Sequence, residues 1–368
     1  MTSVCFANNL KLGWNLGNTL EAYITGKVFE DDLEAENSWG NPTTTKEMID
    51  FLKSRGFNLI RIPVSWHPHL EDPDITDGSE IKIRQAWLNR VKEVVDYCID
   101  DDLYVIINIH HDNEKEYYYP DMEHKEQSLR YVKEIWTTVA EFFKDYDEHL
   151  IFESLNEPRL VGTIYEWKMN FLAKDCLNAE QIINESNQLF VDTVRSTGGN
   201  NSNRYLLIPG YDASSISIQS KNFLIPTDSA KDKLLIEVHA YVPYDFALQE
   251  LSTTESNKYF DPEKYSSTYT IDDLGKMLDE KFLSKGIGVV VDEFGARNKN
   301  GNNKDRAAYY DYFIKTMAGY GIPCVVWDNG NGFSEGEQFG LLNRRELSWY
   351  YPEVAQSIEN AGKEGYGD

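Results

Sequence analysis

The chain has 368 residues, 61 acidic against 36 basic, and a formal net charge of −25. That balance argues against nucleic acid or an anionic membrane as partner, since both are bound through basic patches. Hydrophobic content of 41 % supports a sizeable core, and no apolar run approaches a membrane span, so a soluble, secreted habit with a neutral or cationic ligand is expected.

The N-terminus "MTSVCFANNL" has no basic leading region and no long apolar stretch, so it does not read as a signal peptide. A removed leader replaced by an initiator Met fits the secreted expectation. Apolar strand-like runs then recur along the chain: 10–18, 58–66, 104–111, 150–158, 204–210, 234–241, 287–295 and 322–330. None shows strict in/out alternation, as expected for strands buried on both faces of a parallel sheet. Helical patterns lie between most of them. The first, 43–56, opens on threonines and ends in Gly56. Others follow at 83–102, 128–146, 179–199 and 305–321, with a last one within 348–362. A helix within 211–232 is the weakest of the set.

Eight strand–helix units predict a (β/α)8 TIM barrel of the α/β class. No linker divides the chain, so residues 1–368 read as a single domain with a short tail about 361–368. The excess length sits after strands, at 19–42, 112–124, 159–178, 242–270 and 331–348. Such segments belong to the C-terminal rim, where barrels of this type build their sites. Cys5, Cys98, Cys176 and Cys324 are scattered without a C-x-x-C pair, so free thiols are expected, with Cys98 and Cys324 buried. Disulfide status is left open.

Polar residues collect at the strand ends. The second strand presents Arg61 and Trp66, the third His110 and His111, the fourth Asn156 and Glu157. The sixth carries His239 and Tyr241, the seventh Glu293, and the eighth Trp327 and Asn329. A single strand-end Glu is ordinarily a salt-bridge partner or helix cap. Six of eight strands delivering such groups to one rim is costly unless they satisfy each other, and such networks are where catalysis is expected. Two glutamates on strands facing each other across the mouth suit glycosidic-bond cleavage, with one carboxyl protonating the leaving oxygen and the other attacking about 5 Å away. Pro158 ends the fourth strand directly after Glu157.

Seven blocks in order, "GWNLGNTLE", "RIPVSW", "INIHHD", "SLNEP", "HAY", "DEFG" and "WDNG", make the chain resemble glycoside hydrolase family 5 (cellulase family A) over nearly its whole length. "WGNPTTT" and the paired histidines make it look most like the subfamily 4 endo-β-1,4-glucanases. The resemblance implies a retaining endo-β-1,4-glucanase acting on carboxymethyl-cellulose, mixed-linkage β-glucan and xyloglucan. Glu157 would be the general acid/base, protonated until it donates, and Glu293 the nucleophile. Asn156 would bind the sugar 2-hydroxyl, and Arg61 and Tyr241 would hold Glu293 ionised and oriented. His110 and His239 would line the site, with Trp327 the floor of the −1 subsite. Asn18, Trp39 and His111 are set on the glycone side, against structural roles.

Other readings stand beside these. Trp66 is core or cleft wall. Tyr117, Tyr118 and Tyr119 are a stacking patch or an anchored loop. Trp167 is an aglycone wall or part of a satellite core under its loop. A xylanase or mannanase of the same family is an alternative specificity. "HPH" at 67–69 with His110, His111 and His239 would make a metal-dependent hydrolase, whereas a non-catalytic sugar-binding barrel would not need both glutamates. No cofactor and no metal are expected, because two carboxylates suffice for both steps. The expected partner is a β-glucan polysaccharide, with no nucleic acid, no membrane, a monomeric chain, and further modules in the native protein left open.

Overall fold

A computed structural model describes residues 2–27, 33–333 and 336–367. Residues 28–32 and 334–335, within the rim segments 19–42 and 331–348, lie outside the described residues.

Eight parallel strands close into a barrel: β1 Leu12–Asn15, β2 Leu59–Ile62, β3 Tyr104–Asn108, β4 Leu150–Glu153, β5 Leu206–Ile208, β6 Leu234–His239, β7 Gly288–Phe294 and β8 Cys324–Val326. Each lies inside its predicted run. Ring closure pairs Leu12 of β1 with Cys324 of β8. Helices Lys46–Ser54, Gln85–Ile99, Lys125–Phe142, Lys174–Ser196, Tyr265–Lys281, Asn303–Gly319 and Pro352–Tyr366 pack around the strands.

Four details depart from the sequence reading. The fifth unit has no α-helix; two single turns, Tyr211–Ala213 and Ser217–Gln219, carry the chain across. Its serine-rich stretch competes for backbone hydrogen bonds, as Ser214 and Ser217 side chains do here. The helix Tyr265–Lys281 was hidden because a polar run opens it, and segment 242–270 therefore ends inside a helix. Residues 361–366 continue the last helix rather than forming a tail. Thr45 stands at the N-cap of Lys46–Ser54 in extended conformation, without a side-chain capping bond.

The barrel interior is layered. At the bottom, Leu59, Ile106, Ile151, Leu207, Leu235, Val290 and Val325 meet in an apolar cluster. An N-terminal helix absent from the sequence reading, Ser3–Ala7, plugs this end with Phe6, whose ring stacks on Tyr205 at 3.4 Å. One layer up, the inward positions two residues on are Asn15, Arg61, Asn108, Glu153, Glu237 and Asp292, all fully buried. This is a polar layer inside the barrel, and it carries the rim residues above it. The larger apolar core lies outside, between strands and helices, and takes in Trp66, Trp87 and Trp136.

Register shifts occur at the tops of β6 and β7. Glu237 pairs with Val290, but His239 pairs with Glu293 rather than Asp292. One residue is therefore inserted in β7, a bulge of the type that re-aims side chains near sites. Its effect is visible on Arg61, which is reached by both Asp292 and Glu293. Strict alternation would forbid this for neighbours in a strand.

Candidate active site

Arg61 organises the site from below. Its Nε and Nη2 donate to the two oxygens of Glu153, each at 2.7 Å. Nη1 donates to Asn15 Oδ1 at 3.0 Å and Glu293 Oε1 at 2.8 Å, and Nη2 donates also to Asn156 Oδ1 at 2.7 Å. These bonds use all five guanidinium N–H groups. Asn156 has its carbonyl end held in this way, which leaves its amide NH2 for a ligand. The second oxygen of Glu293 accepts from the Tyr241 hydroxyl at 2.9 Å. Burial, with the charge of Glu293, pushes Tyr241 well above the usual phenol range, so it remains a donor.

Glu157 lies four residues beyond Glu153, where β4 ends, so the strand stops well before Pro158 rather than at it. Its Oε1 lies 2.8 Å from Nδ1 of His239. Glu157, His239 and Glu293 each bring an atom within 4.8 Å of the others. Burial pushes Glu157 up, but the hydrogen bond and charge of His239, then Arg159, outweigh it and bring it below the usual carboxylate range. Burial pushes His239 down, but the charges of Glu293, Glu157 and Asp292 carry it up, to about 9. Both directions favour the proton on His239 over Glu157 in the substrate-free site, the reverse of what the sequence leads one to expect.

His110 and His111 are held neutral, chiefly by burial, His111 at about 4 and His110 well below its usual value. The tautomer of His110 is set in steps. Val64 N–H donates to Asn108 Oδ1 at 3.0 Å, so Asn108 Nδ2 faces His110 Nδ1 at 3.0 Å as donor. His110 therefore carries its proton on Nε2. Its ring lies parallel to Trp327, at 3° and 6.2 Å. Gly17 makes room for the indole: a Cβ there would stand 2.8 Å from the Trp327 ring.

A cleft of ≈ 650 Å³ is lined by Trp327 of this centre and by Asn18, Trp39 and Asn329. Asn18 takes a left-handed φ of 55°, and Glu21 accepts from the Asn18 and Thr19 N–H groups behind it. Trp39 is 39 % exposed, with its indole N–H on the Tyr23 carbonyl at 2.7 Å and its ring 5.5 Å from His111. The structure thus brings Glu157, Glu293, Arg61, Asn156, His110, His239, Tyr241 and Trp327 together, with Asn18, Trp39 and His111 along one arm.

Several open readings close. Trp66 is core: it is fully buried, and its indole donates to the Asn108 carbonyl at 2.8 Å. Tyr118 and Tyr119 are buried and Tyr117 packs on Tyr131, so these rings anchor the loop. Trp167 is 61 % exposed and outside the satellite cluster of Tyr119, Leu160, Ala179, Ile183 and Tyr211. The Arg159 guanidinium lies 3.8 Å over its ring, and Arg159 also donates to the Glu157 carbonyl at 2.9 Å. His67 pairs with Asp112 at 2.9 Å, and His69 stacks on Trp87 at 3.6 Å. Neither joins His110, His111 or His239 in a ligand set among the described residues. All four cysteines are free thiols, with Cys98, Cys176 and Cys324 buried.

Sequence reasoning missed Arg159, Asn41, Glu337 and Tyr350 at the cleft, and Asn15, Asn108, Glu153, Glu237 and Asp292 beneath it. The last three had a visible signal, an acidic residue inside an apolar strand. Taken as chemistry, the centre offers two carboxyls close enough to act on one glycosidic bond, one of them hydrogen-bonded to an imidazole.

Residues 24–333 match the family model described as "Cellulase (glycosyl hydrolase family 5)". Endoglucanase B of Ruminococcus albus is 47 % identical over 345 residues, 93 % of this chain and 76 % of the relative. Endoglucanase 1 of the same organism is 44 % identical over 349 residues, 94 % of this chain and 78 % of the relative. Among solved structures, a glycoside hydrolase 5 lichenase mutant from Caldicellulosiruptor sp. F32 in complex with cellotetraose superposes with a TM-score of 0.94 at 46 % identity, covering 98 % of this chain and 96 % of that one. A GH5-4 broad specificity endoglucanase from Ruminococcus champanellensis with bound cellotriose gives 0.87 at 40 % identity, covering 98 % of each chain.

Proposed function

The chain belongs to glycosyl hydrolase family 5, and from that membership and the site geometry we propose that it is an endo-β-1,4-glucanase that works by double displacement with retention. The observation that carries the mechanism is the close approach of Glu157 and Glu293, whose nearest oxygens lie within 4.8 Å. Retaining enzymes hold their carboxyls about 5–5.5 Å apart, whereas inverting ones need about 6.5–9.5 Å to seat a water.

In this reading Glu293 attacks the anomeric carbon, its two oxygens aimed by Arg61 and Tyr241. Glu157 takes a proton from His239 and passes it to the departing oxygen. Asn156 offers its NH2 to the 2-hydroxyl of the −1 sugar. Trp327 supplies the apolar floor for a sugar's C–H face. Asn18, Trp39 and His111 line the path of the glycone sugars. The reaction uses no cofactor.

The substrate is a β-1,4-linked glucan with mixed-linkage chains included, a reading supported by the lichenase and broad-specificity endoglucanase relatives. Xyloglucan and carboxymethyl-cellulose are included in this reading, which the broad-specificity endoglucanase relatives support. A polymer of this size does not cross a membrane, so the enzyme acts outside the cell; activity released only on cell lysis would oppose this.

The deciding experiment is NMR of the first-formed products from mixed-linkage β-glucan. The β-anomer is expected at early time. An α-anomer would overturn retention, and activity confined to xylan or mannan would overturn the glucanase reading.

A further inference from the structure

We propose that Glu237 and Asp292, buried under the active site, form a carboxyl pair that shares one proton and presents its single negative charge to Nε2 of His239, so that His239 is held as the proton donor to Glu157. This rests on the acid/base reading of Glu157 above and deepens it.

The geometry points this way from both ends. Both oxygens of Glu237 and both of Asp292 are buried and make no hydrogen bond, and Nε2 of His239 is buried without one too. Yet Nε2 lies 3.6 Å from Glu237 Oε1 and 3.7 Å from Asp292 Oδ1, and one atom from each of the three falls within 4.8 Å of the others. Two buried carboxylates without donors would carry a desolvation cost far above that of keeping a proton. Two like charges so close do not both ionise, and one proton comes to be shared.

The charges facing the pair set where the remaining negative charge rests. Arg61 from β2 approaches Asp292 Oδ2 at 3.5 Å. Glu153 from β4 and Glu293 from β7 face both carboxyls, and His239 faces them from β6. His239 is in turn faced by Glu157 and Glu293, and at longer range by His110 and by Asp212 from the turn after β5. Asp292 lies between the two cations Arg61 and His239, so it holds the charge, and Glu237 holds the proton. Burial, then neighbouring carboxylates, push both Glu237 and Asp292 well above the usual range.

The relay balances. In the first step the Nδ1 proton of His239 passes to Glu157 Oε1 and on to the glycosidic oxygen as its bond to the anomeric carbon breaks and Glu293 bonds to that carbon. The imidazole left behind is neutral, with Nε2–H directed at the pair. In the second step water attacks the anomeric carbon, the ester electrons return to Glu293, and the water proton returns through Glu157 to His239. Glu237 and Asp292 touch no reacting atom; they are positioning residues.

The test uses the full chain with Glu237→Gln, Asp292→Asn and the double variant. Infrared difference spectra of the parent minus each variant at neutral pH, without substrate, should show a protonated-carboxyl C=O band. Each single change leaves one carboxylate, so the basic limb of kcat/KM against pH should stay near that of the parent. The double change removes the charge, so that limb should fall by about one pH unit or more, the scale of an opposite charge lost within 4–6 Å. Absence of the band in both single-variant differences overturns the shared proton, and that readout stands if the double variant fails to fold. An unshifted limb in a folded double variant overturns the link to His239. A stoichiometric metal in the purified parent would assign the pair to a cation and overturn the proposal. If the parent cleaves no β-glucan, the functional reading fails while the infrared band still reports on the pair.

Discussion

Nδ1 of His239 and Oε1 of Glu157 lie 2.8 Å apart, a hydrogen bond along which a proton can pass from the imidazole to the carboxylate. That path makes Glu157 an acid on demand. Glu157→Ala should slow hydrolysis of polysaccharide by about 10²–10⁴-fold, the usual contribution of general acid–base catalysis. An aryl glycoside with a good leaving group needs little protonation, so its first step should survive and the glycosyl-enzyme should accumulate. Azide needs no base, so it should restore turnover and yield a β-glycosyl azide. An α-azide would reverse the roles of the two glutamates.

Glu293→Ala should behave differently. Without a nucleophile no covalent intermediate forms, and mass spectrometry with a slow fluoroglycoside should find no adduct. Azide occupying the vacated space should give the α-product. Recovery of a β-azide here would count against Glu293 as nucleophile.

Arg61 supports five acceptors from a fully buried position. Arg61→Met should therefore strand Glu153 and Asn15 as well as Glu293. Removing one partner of a buried ion pair typically costs about 3–5 kcal/mol. Denaturant unfolding should show a loss of that order together with loss of activity. A variant as stable as the parent would mean that the polar layer is not held by this guanidinium.

Glu21 gives the stability a pH dependence. Burial raises it from 4.5 to about 7, against the bonds it accepts from the Thr19 and Asn18 N–H groups. Its folded value lies above its unfolded one, so its contribution is complete below about pH 4.5 and is lost as pH rises through 7. At 1.36 kcal/mol per unit, the swing is about 3 kcal/mol. Glu21→Gln, which does not titrate, should flatten the fall in unfolding free energy between those limits. An unchanged slope would place the titration elsewhere.

The residues above were legible to different degrees, for a physical reason. Strand runs are read from apolar length, and all eight lie where the pattern places them. Glu157 and Glu293 stood out because a carboxyl next to a strand end is locally conspicuous. Trp66 and Trp167 did not sort, since an indole looks alike in core and cleft; burial decides, and burial depends on chain segments far away. The pull of the site on the proton towards His239 was not legible for the same reason. It depends on Glu293 and Asp292, whose approach is set by a bulge between β6 and β7 that leaves no mark in composition.

Phe6 tests the lower end of the barrel. Phe6→Ala opens a cavity against Tyr205 and Tyr104 and should cost about 3–5 kcal/mol of stability. The catalytic residues lie two layers above, so kcat on a soluble β-glucan should stay within about twofold at temperatures where the variant is folded. A stability loss below about 1 kcal/mol would mean that the plug contributes little.

That same helix has a consequence in time. Ser3 accepts a hydrogen bond at 2.9 Å from the N–H of Gly288, 285 residues away, and Gly288 has no side chain because a Cβ would stand 2.5 Å from the Ser3 carbonyl. The seat of the Ser3–Ala7 helix is completed by a strand that lies nearly the whole barrel away in sequence. Contacts of such sequence separation form late, because the whole intervening loop must close first. Until β7 forms, Phe6 has Tyr104 and Tyr205 to rest on but its helix lacks the anchor at Gly288, which leaves this end of a partly folded chain exposed.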